Sequence, residues 1–149
     1  MTERTMDIFD RILLLKKSPV FEQVSTEDLR HVAQAMETEN YLAGERIFDI
    51  NENGDHMYVI QSGTIGISLN NDPAAKDFVA ELDAGECFGE MNLLDNLPRS
   101  ATAHVLQDAE VLTLDTNRLH SLIIRYPELA LGMLKGLSMR LRDTNKNKS

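Results

Sequence analysis

A chain of 149 residues, 42% hydrophobic and 26% charged, is long enough for one globular domain with its own core. Its 15 Lys and Arg against 24 Asp and Glu leave a formal charge of −9, an average field that repels polyanions, so binding to nucleic acid through summed phosphate contacts is not expected. The longest apolar runs, Ile12–Leu15 and, with glycine counted as neutral, Leu129–Leu134, fall far short of the roughly 20 residues that cross a bilayer, so no membrane insertion is expected.

The opening Met1-Thr2-Glu3-Arg4 lacks the apolar stretch of a secretory leader, and the single Cys87 cannot form an internal disulfide, so a reducing cytoplasm is the expected compartment. Apolar residues at Ile8, Phe9, Ile12, Leu13 and Leu15 predict a first helix over Met6–Lys17, stopped by Ser18-Pro19. Ser25 is the expected N-cap of a second helix, with Asp28 three residues on and Leu29, Val32, Ala33 and Met36 along one face. From Asn40 to Asp115 the apolar period shortens to two, predicting strands at Met57–Ile60, Thr64–Leu69 and Phe78–Leu82. Turn signals at Ala43-Gly44, Glu52–Asp55, Ser62-Gly63, Asn70–Pro73 and Asp83–Gly85 recur about every ten residues, which suits an antiparallel jelly roll or small barrel. The helical period then returns. Asp115-Thr116 is expected to cap a helix through Leu119, Leu122 and Ile123, and Pro127 to open a longer one, whose stripe Leu131, Leu134, Leu137 and Leu141 reads as the face packed on the roll. The expected organisation is a single domain over 1–149, with N-terminal helices in 1–37, the roll in 38–115, and two helices and a polar tail, Thr144–Ser149, in 116–149.

Residues 88–103 interrupt the strand pattern. Gly89 permits torsions closed to other residues and Glu90–Leu94 are good helix formers, so a turn should feed one or two helical turns whose first N–H groups are unpaired and attract an anion. Pro98 stiffens the exit and delivers Arg99 beside that helix start, where a guanidinium can fork onto two phosphate oxygens, and Ser100 adds a hydroxyl donor. Glu90 would repel a phosphate unless it meets hydrogen-bond donors, and a sugar hydroxyl is such a donor. The set predicts a ligand carrying one small phosphate with a sugar hydroxyl a few ångströms away. The plain alternative is a surface turn closed by an Arg99–Glu90 ion pair.

In order and spacing, Phe88-Gly89-Glu90, Leu93-Leu94 and Pro98-Arg99-Ser100-Ala101-Thr102 resemble the phosphate-binding cassette of the cyclic-nucleotide-binding domain family. The resemblance extends to Tyr58–Gly63 and Tyr126-Pro127-Glu128, nearly the whole chain. It implies a mainly β fold with flanking α, an eight-stranded antiparallel β-roll (jelly roll) with N-terminal helices and two C-terminal helices. It also implies a non-catalytic regulatory sensor whose ligand is cAMP, or else cGMP, with no metal, binding being coupled to movement of the C-terminal helices. By position it assigns Glu90 to the ribose 2′-OH, Arg99 to an exocyclic phosphate oxygen, and the Ser100 hydroxyl to the phosphate. Backbone amides near Gly89, Met91 and Asn92, with Ala101, take the remaining phosphate and ribose contacts. From Arg99 on, the chain is similar without a gap to the catabolite-activator branch of the family, where Thr144 falls on a purine-contacting threonine and Asn145 replaces the neighbouring serine. Asn92 departs from the small residue usual at its position. The sequence ends about five residues after Thr144, without the helix-turn-helix that follows in that branch, so no direct nucleic-acid binding is expected. The partner the resemblance implies is a second copy through the last helix, or an unidentified effector domain.

Two other classes compete. A jelly-roll metalloenzyme of the cupin type needs several His and a Glu converging on one metal, whereas His31, His56, His104 and His120 are scattered. A degenerate family member, kept for protein contacts alone, is the other, and Asn92 is the local argument for it.

Overall fold

The computed structural model describes residues 7–70, 72 and 77–146. Met6 of the first expected helix, Asn71 and Pro73 of the expected turn and the end of the polar tail lie outside them. In chain order the elements are helices α1 (Ile8–Leu15) and α2 (Thr26–Ala35), strands β1 (Glu37–Tyr41), β2 (Arg46–Phe48), β3 (His56–Ser68), β4 (Ala80–Leu82) and β5 (Cys87–Phe88), helix α3 (Glu90–Asp95), strand β6 (Thr102–Asp115), and helices α4 (Thr116–Arg125) and α5 (Glu128–Lys146). The fold is mainly antiparallel β with flanking helices. Contacts group the chain into two compact units, the residues up to Ala35 with those from Arg118 on, and the residues between.

The β unit is organised on two long strands. β3 and β6 run antiparallel from His56 opposite Asp115 to Ser68 opposite Thr102. The outer edge of β6 takes β1 over Ala109–Thr113 and β2 at Ala103 and His104. The outer edge of β3 takes β5 at Tyr58 and Val59 and β4 at Ile65–Ile67. Among the described residues this makes six strands, where the resemblance implied eight. One strand of the difference is accounted for at Ser62-Gly63, which the sequence offers as a turn signal between two strands. Gly63 does adopt a left-handed φ of +94°, and a Cβ there would sit 2.5 Å from the Asp108 carbonyl oxygen, but the chain uses that conformation for a bulge. The register shifts between Ile60 and Ile65, and Met57–Ile60 runs on into Thr64–Ser68 as one bent strand. Inward-facing residues of the sheet, Ile60, Ile65, Val105 and Val111 among them, form the core with the rings of Phe48, Tyr58 and Phe88.

His104 is buried at one end of this sheet. Ser68 Oγ donates its single proton to the Asn70 carbonyl (2.9 Å), so the Ser68 oxygen accepts from His104 Nε2 (2.8 Å) and the neutral ring carries its proton on Nε2. Burial, then the Arg46 charge beside it, pulls the His104 pKa below its ordinary value, with Asp49 acting the other way, while the Phe78 ring meets it edge-on.

The helical unit is tied by its own polar contacts. Asp7 and Ser25 accept from Asp10 N–H (2.8 Å) and Asp28 N–H (3.2 Å), so α1 and α2 each have a side-chain N-cap, the second as expected. The last carbonyls of α2 are satisfied by guanidinium groups, Ala33 O by Arg11 (3.0 Å) and Ala35 O by Arg118 (2.8 Å). The His31 ring stacks on Tyr126 at 3.9 Å. Helix α5 departs from the expected stripe. Leu131, Leu134 and Leu141 are exposed, and the buried face is Leu129, Met133 and Gly136. A Cβ at Gly136 would lie 2.3 Å from Pro19 O, and one at Gly132 2.9 Å from Val24 Cα. Glycine therefore fills the positions where the 19–24 segment comes closest, and a periodicity that counts only large apolar residues selects the wrong face. Among the described residues, no helix is long and apolar enough to cross a membrane.

Gly136→Ala should lower stability in a urea titration by about 1–3 kcal/mol through overpacking, although alanine gains about 1 kcal/mol of helix propensity. An unchanged midpoint would mean that the 19–24 turn yields freely. The stability that neutral His104 contributes is complete above its ordinary pKa of 6.5 and is lost as pH falls through the lower folded-state value. Melting temperatures from pH 7.5 down to pH 5 should therefore fall more steeply for the native sequence than for His104→Gln.

Candidate functional site

Strand β5 ends at Phe88, and Gly89 turns the chain in the left-handed region (φ 76°, ψ 8°) into α3, which Asn96, also left-handed, stops after six residues. Gly89 therefore has the torsions expected of it. The run of free amides is shorter than expected, because Asn92 N–H donates to Gly89 O at 3.2 Å. Returning from α3, the chain is clamped at Arg99 from both sides of its backbone: its N–H donates to Glu52 O (2.7 Å) and its carbonyl accepts from Asn51 N–H (2.8 Å). Pro98 bridges to Asn53, and Thr102 Oγ1 accepts from Ile50 N–H (2.8 Å). The arginine is thus placed by the loop before β3 as much as by its own segment.

With that backbone fixed, the Arg99 side chain points inward and only 4% of the residue is exposed. Its Cζ lies 4.0 Å from the Phe48 ring centroid, a cation–π contact, and 5.8 Å from that of Tyr58. A Cβ on Gly54 would meet Arg99 Nε at 2.2 Å and one on Gly89 would meet its Nη1 at 2.7 Å, so two glycines leave the room the guanidinium occupies. Nη1 donates to Asn92 Oδ1 (3.1 Å), and Nε has no hydrogen-bond partner among the described residues. Among the described residues no carboxylate lies within ion-pair distance of Arg99. This overturns the surface-turn alternative, which required Glu90 as its counter-ion. Burial lowers the Arg99 pKa, while Tyr58, Asp55 and Glu52 act in the opposite direction. Burial also pushes the Tyr58 phenol up to about 12, against the pull of Arg99, so the phenol is neutral near pH 7 and supplies no negative charge. Tyr58 stacks on Phe88 at 5.0 Å, as a core residue.

A cavity of about 220 Å³ opens here, lined by Phe48, Ile67, residues 87–92 and residues 99–101. That is somewhat below the roughly 300–1,000 Å³ of a drug-sized pocket and suits a sugar-phosphate better than a whole nucleotide. Seven of the nine expected ligand-binding residues, Gly89, Glu90, Met91, Asn92, Arg99, Ser100 and Ala101, come together on its wall. Glu90 is half-buried; Met91 and Ser100 are exposed. Thr144 and Asn145 are exposed on α5, in the other unit, where Thr144 Oγ1 donates to Arg140 O (3.0 Å). Sequence reading missed Phe48 and Gly54. Phe48 lies in a short strand with no distinguishing period, and Gly54 carried only a turn signal. At the far side of α3, Thr116 Oγ1 lies within hydrogen-bond reach of Asp55 O, Leu93 O and Asn96 Oδ1 (3.1–3.3 Å), so this hydroxyl, at the start of α4, joins the α3 segment to the loop that holds Arg99. Among the described residues no group of three His, Cys, Asp or Glu side chains is placed to hold a metal.

The profile described as "Cyclic nucleotide-binding domain" matches residues 38–126. A CRP-like cAMP-activated global transcriptional regulator of Mycobacterium tuberculosis is 25% identical over 134 residues, 90% of this chain and 60% of the relative. The cyclic AMP receptor protein of Thermus thermophilus is 31% identical over 131 residues, 88% of this chain and 61% of the relative. The chain thus spans about three fifths of the length of these regulators. Among solved structures, the N-terminal domain of a transcriptional regulator from Streptomyces coelicolor superposes with a TM-score of 0.81 at 26% identity, covering 89% of this chain and 95% of that one.

Arg99→Leu replaces a buried cation, without a counter-ion among the described residues, with an apolar side chain that packs on Phe48. The ligand-free variant should melt at the same temperature as the native protein or higher, as read by differential scanning fluorimetry. A fall of many degrees would identify Arg99 as a structural tie.

Proposed function

The chain belongs to the cyclic nucleotide-binding domain family, and on that premise we propose that it is a non-catalytic regulatory sensor of a 3′,5′-cyclic nucleotide, cAMP in preference to cGMP. The observation that carries this reading is the Arg99 guanidinium, 4% exposed and without a carboxylate partner among the described residues, on the wall of an open cavity. A buried, uncompensated charge is costly, and an entering anion removes that cost. A cyclic phosphate brings a single negative charge on two exocyclic oxygens, which suits one guanidinium. Glu90 on the same wall then accepts from the ribose 2′-OH, Ser100 and the Gly89 and Met91 amides donate to the phosphate, and Ala101 completes the contacts. Charge-assisted hydrogen bonds contribute about 1.5–3 kcal/mol each, or about one to two orders of magnitude in affinity.

The preference for cAMP rests on relatives named for cAMP and on Thr144 and Asn145 as purine contacts. Binding is read out as a change in pose of the C-terminal helices, by as much as the ligand's affinity differs between the two poses. The compartment we propose is the cytoplasm, and the acidic balance of these residues, 15 Lys and Arg against 24 Asp and Glu, argues against polyanion binding by this domain itself. Its partner is a second copy engaged through the exposed Leu131, Leu134 and Leu141 of α5, or an effector domain.

Titration calorimetry of the purified chain tests this. cAMP should bind more tightly than cGMP, Arg99→Leu should weaken either by about one to two orders of magnitude or more, and Thr144→Ala should narrow the cAMP-to-cGMP ratio. No heat and no thermal shift up to millimolar nucleotide would sink the sensor reading and favour a member of the family that makes protein contacts only.

A further inference from the structure

Asn92 is the residue at which the cassette departs from the small side chain of its family, and its amide is engaged in the site. It is 8% exposed, lies on the cavity wall, and its Oδ1 is the acceptor of the one side-chain hydrogen bond that Arg99 makes among the described residues (3.1 Å). Its Nδ2 donates to Leu97 O. The two bonds fix the orientation of the amide. Flipped, it would set a donor against the guanidinium and an acceptor against the Leu97 carbonyl, so the oxygen must face Arg99. The carbonyl is a neutral acceptor at the spot where a cation awaits an anion. A carboxylate there would hold Arg99 permanently, whereas an alanine would leave it bare.

We infer that the Asn92 amide is a built-in competitor for the phosphate subsite: in the empty site it supplies the Arg99 guanidinium with the acceptor that a ligand phosphate oxygen supplies in the occupied one. This rests on the cyclic-nucleotide reading of the cavity. Whatever steadies the empty form without steadying the occupied form lowers affinity by the same factor. Asn92 therefore sets the concentration at which the sensor responds, exchanging affinity for a ligand-free state in which the buried cation is partly satisfied. Arg99 keeps further N–H donors, so the ligand can engage the guanidinium before the amide lets go, a stepwise exchange that the shorter side chains of the family do not offer.

The test has two readouts. Calorimetry with cAMP should show Asn92→Ala binding about tenfold tighter than the native chain, equivalent to about 1.4 kcal/mol. Fluorimetry should show its ligand-free melting temperature lowered, with that loss reduced in an Arg99→Leu background, because the pair no longer exists there. Equal or weaker binding by Asn92→Ala would overturn the inference and make Asn92 a positioning residue for Arg99. A melting loss of the same size in both backgrounds would overturn it too, leaving only the support given to Leu97. If the native chain binds neither cAMP nor cGMP, the sensor reading fails by itself. The competitor is then judged with inorganic phosphate, whose thermal shift should be larger for Asn92→Ala than for the native chain and lost with Arg99→Leu; equal shifts would refute it. Asn92→Ser provides the same comparison should the alanine variant not fold.

Discussion

Withdrawing a guanidinium from water costs several kcal/mol after relaxation, and the β unit meets that cost at Arg99 with parts drawn from four places in the chain. Phe48 offers the face of its ring, Gly54 and Gly89 offer room, and Asn92 offers one neutral oxygen. None of these cancels the charge. Among the described residues no carboxylate pairs with the cation, Asp55 and Glu52 acting on it without an ion pair, and the demand for a negative group is directed into an open cavity. Every other feature of the site follows from keeping that cation in place: the paired backbone at Asn51 and Glu52, the short α3 with a left-handed residue at either end, and the Thr116 hydroxyl that links α3 to the same loop.

The rings around Arg99 serve the same end from the apolar side. Phe48, Tyr58 and Phe88 lie within 6 Å of one another, and one of them, Phe48, faces the guanidinium directly. The phenol of Tyr58 is protonated near pH 7, as any tyrosine is, and burial moves its pKa further up, to about 12, so it adds no negative charge to the anion site. The cavity therefore has an apolar floor that excludes water on that side, and the low local dielectric strengthens each hydrogen bond made on the other.

Much of this was legible in the residues. The Ser25 cap, the left-handed Gly89 and the gathering of Glu90, Arg99, Ser100 and Ala101 on one wall all follow from local chemistry or from ordered spacing. What was illegible depended on partners far away in sequence. Whether the Ser62-Gly63 turn signal separates two strands or makes a bulge within one is decided by the strand opposite, where Asp108 and Ala109 approach Gly63. Which face of α5 is buried is decided by how near the Pro19–Val24 backbone comes, and glycine, invisible to an apolar count, marks that face. The burial of Arg99 is likewise set outside its own segment, and no spacing within 88–103 could have announced the oxygen that Asn92 turns toward it.

The clamp on Arg99 also bears on what can be transplanted. Both peptide groups of this residue are paired with a loop encoded far upstream, and the ring beneath its side chain comes from the strand before that loop. Residues 88–101 are consequently a motif without autonomy: cut out as a peptide or grafted into a foreign roll, they would carry the lettering of the site but not its architecture. The heritable unit is the pairing of two stretches, and drift in the upstream one can silence the cavity while every signature residue stays unchanged.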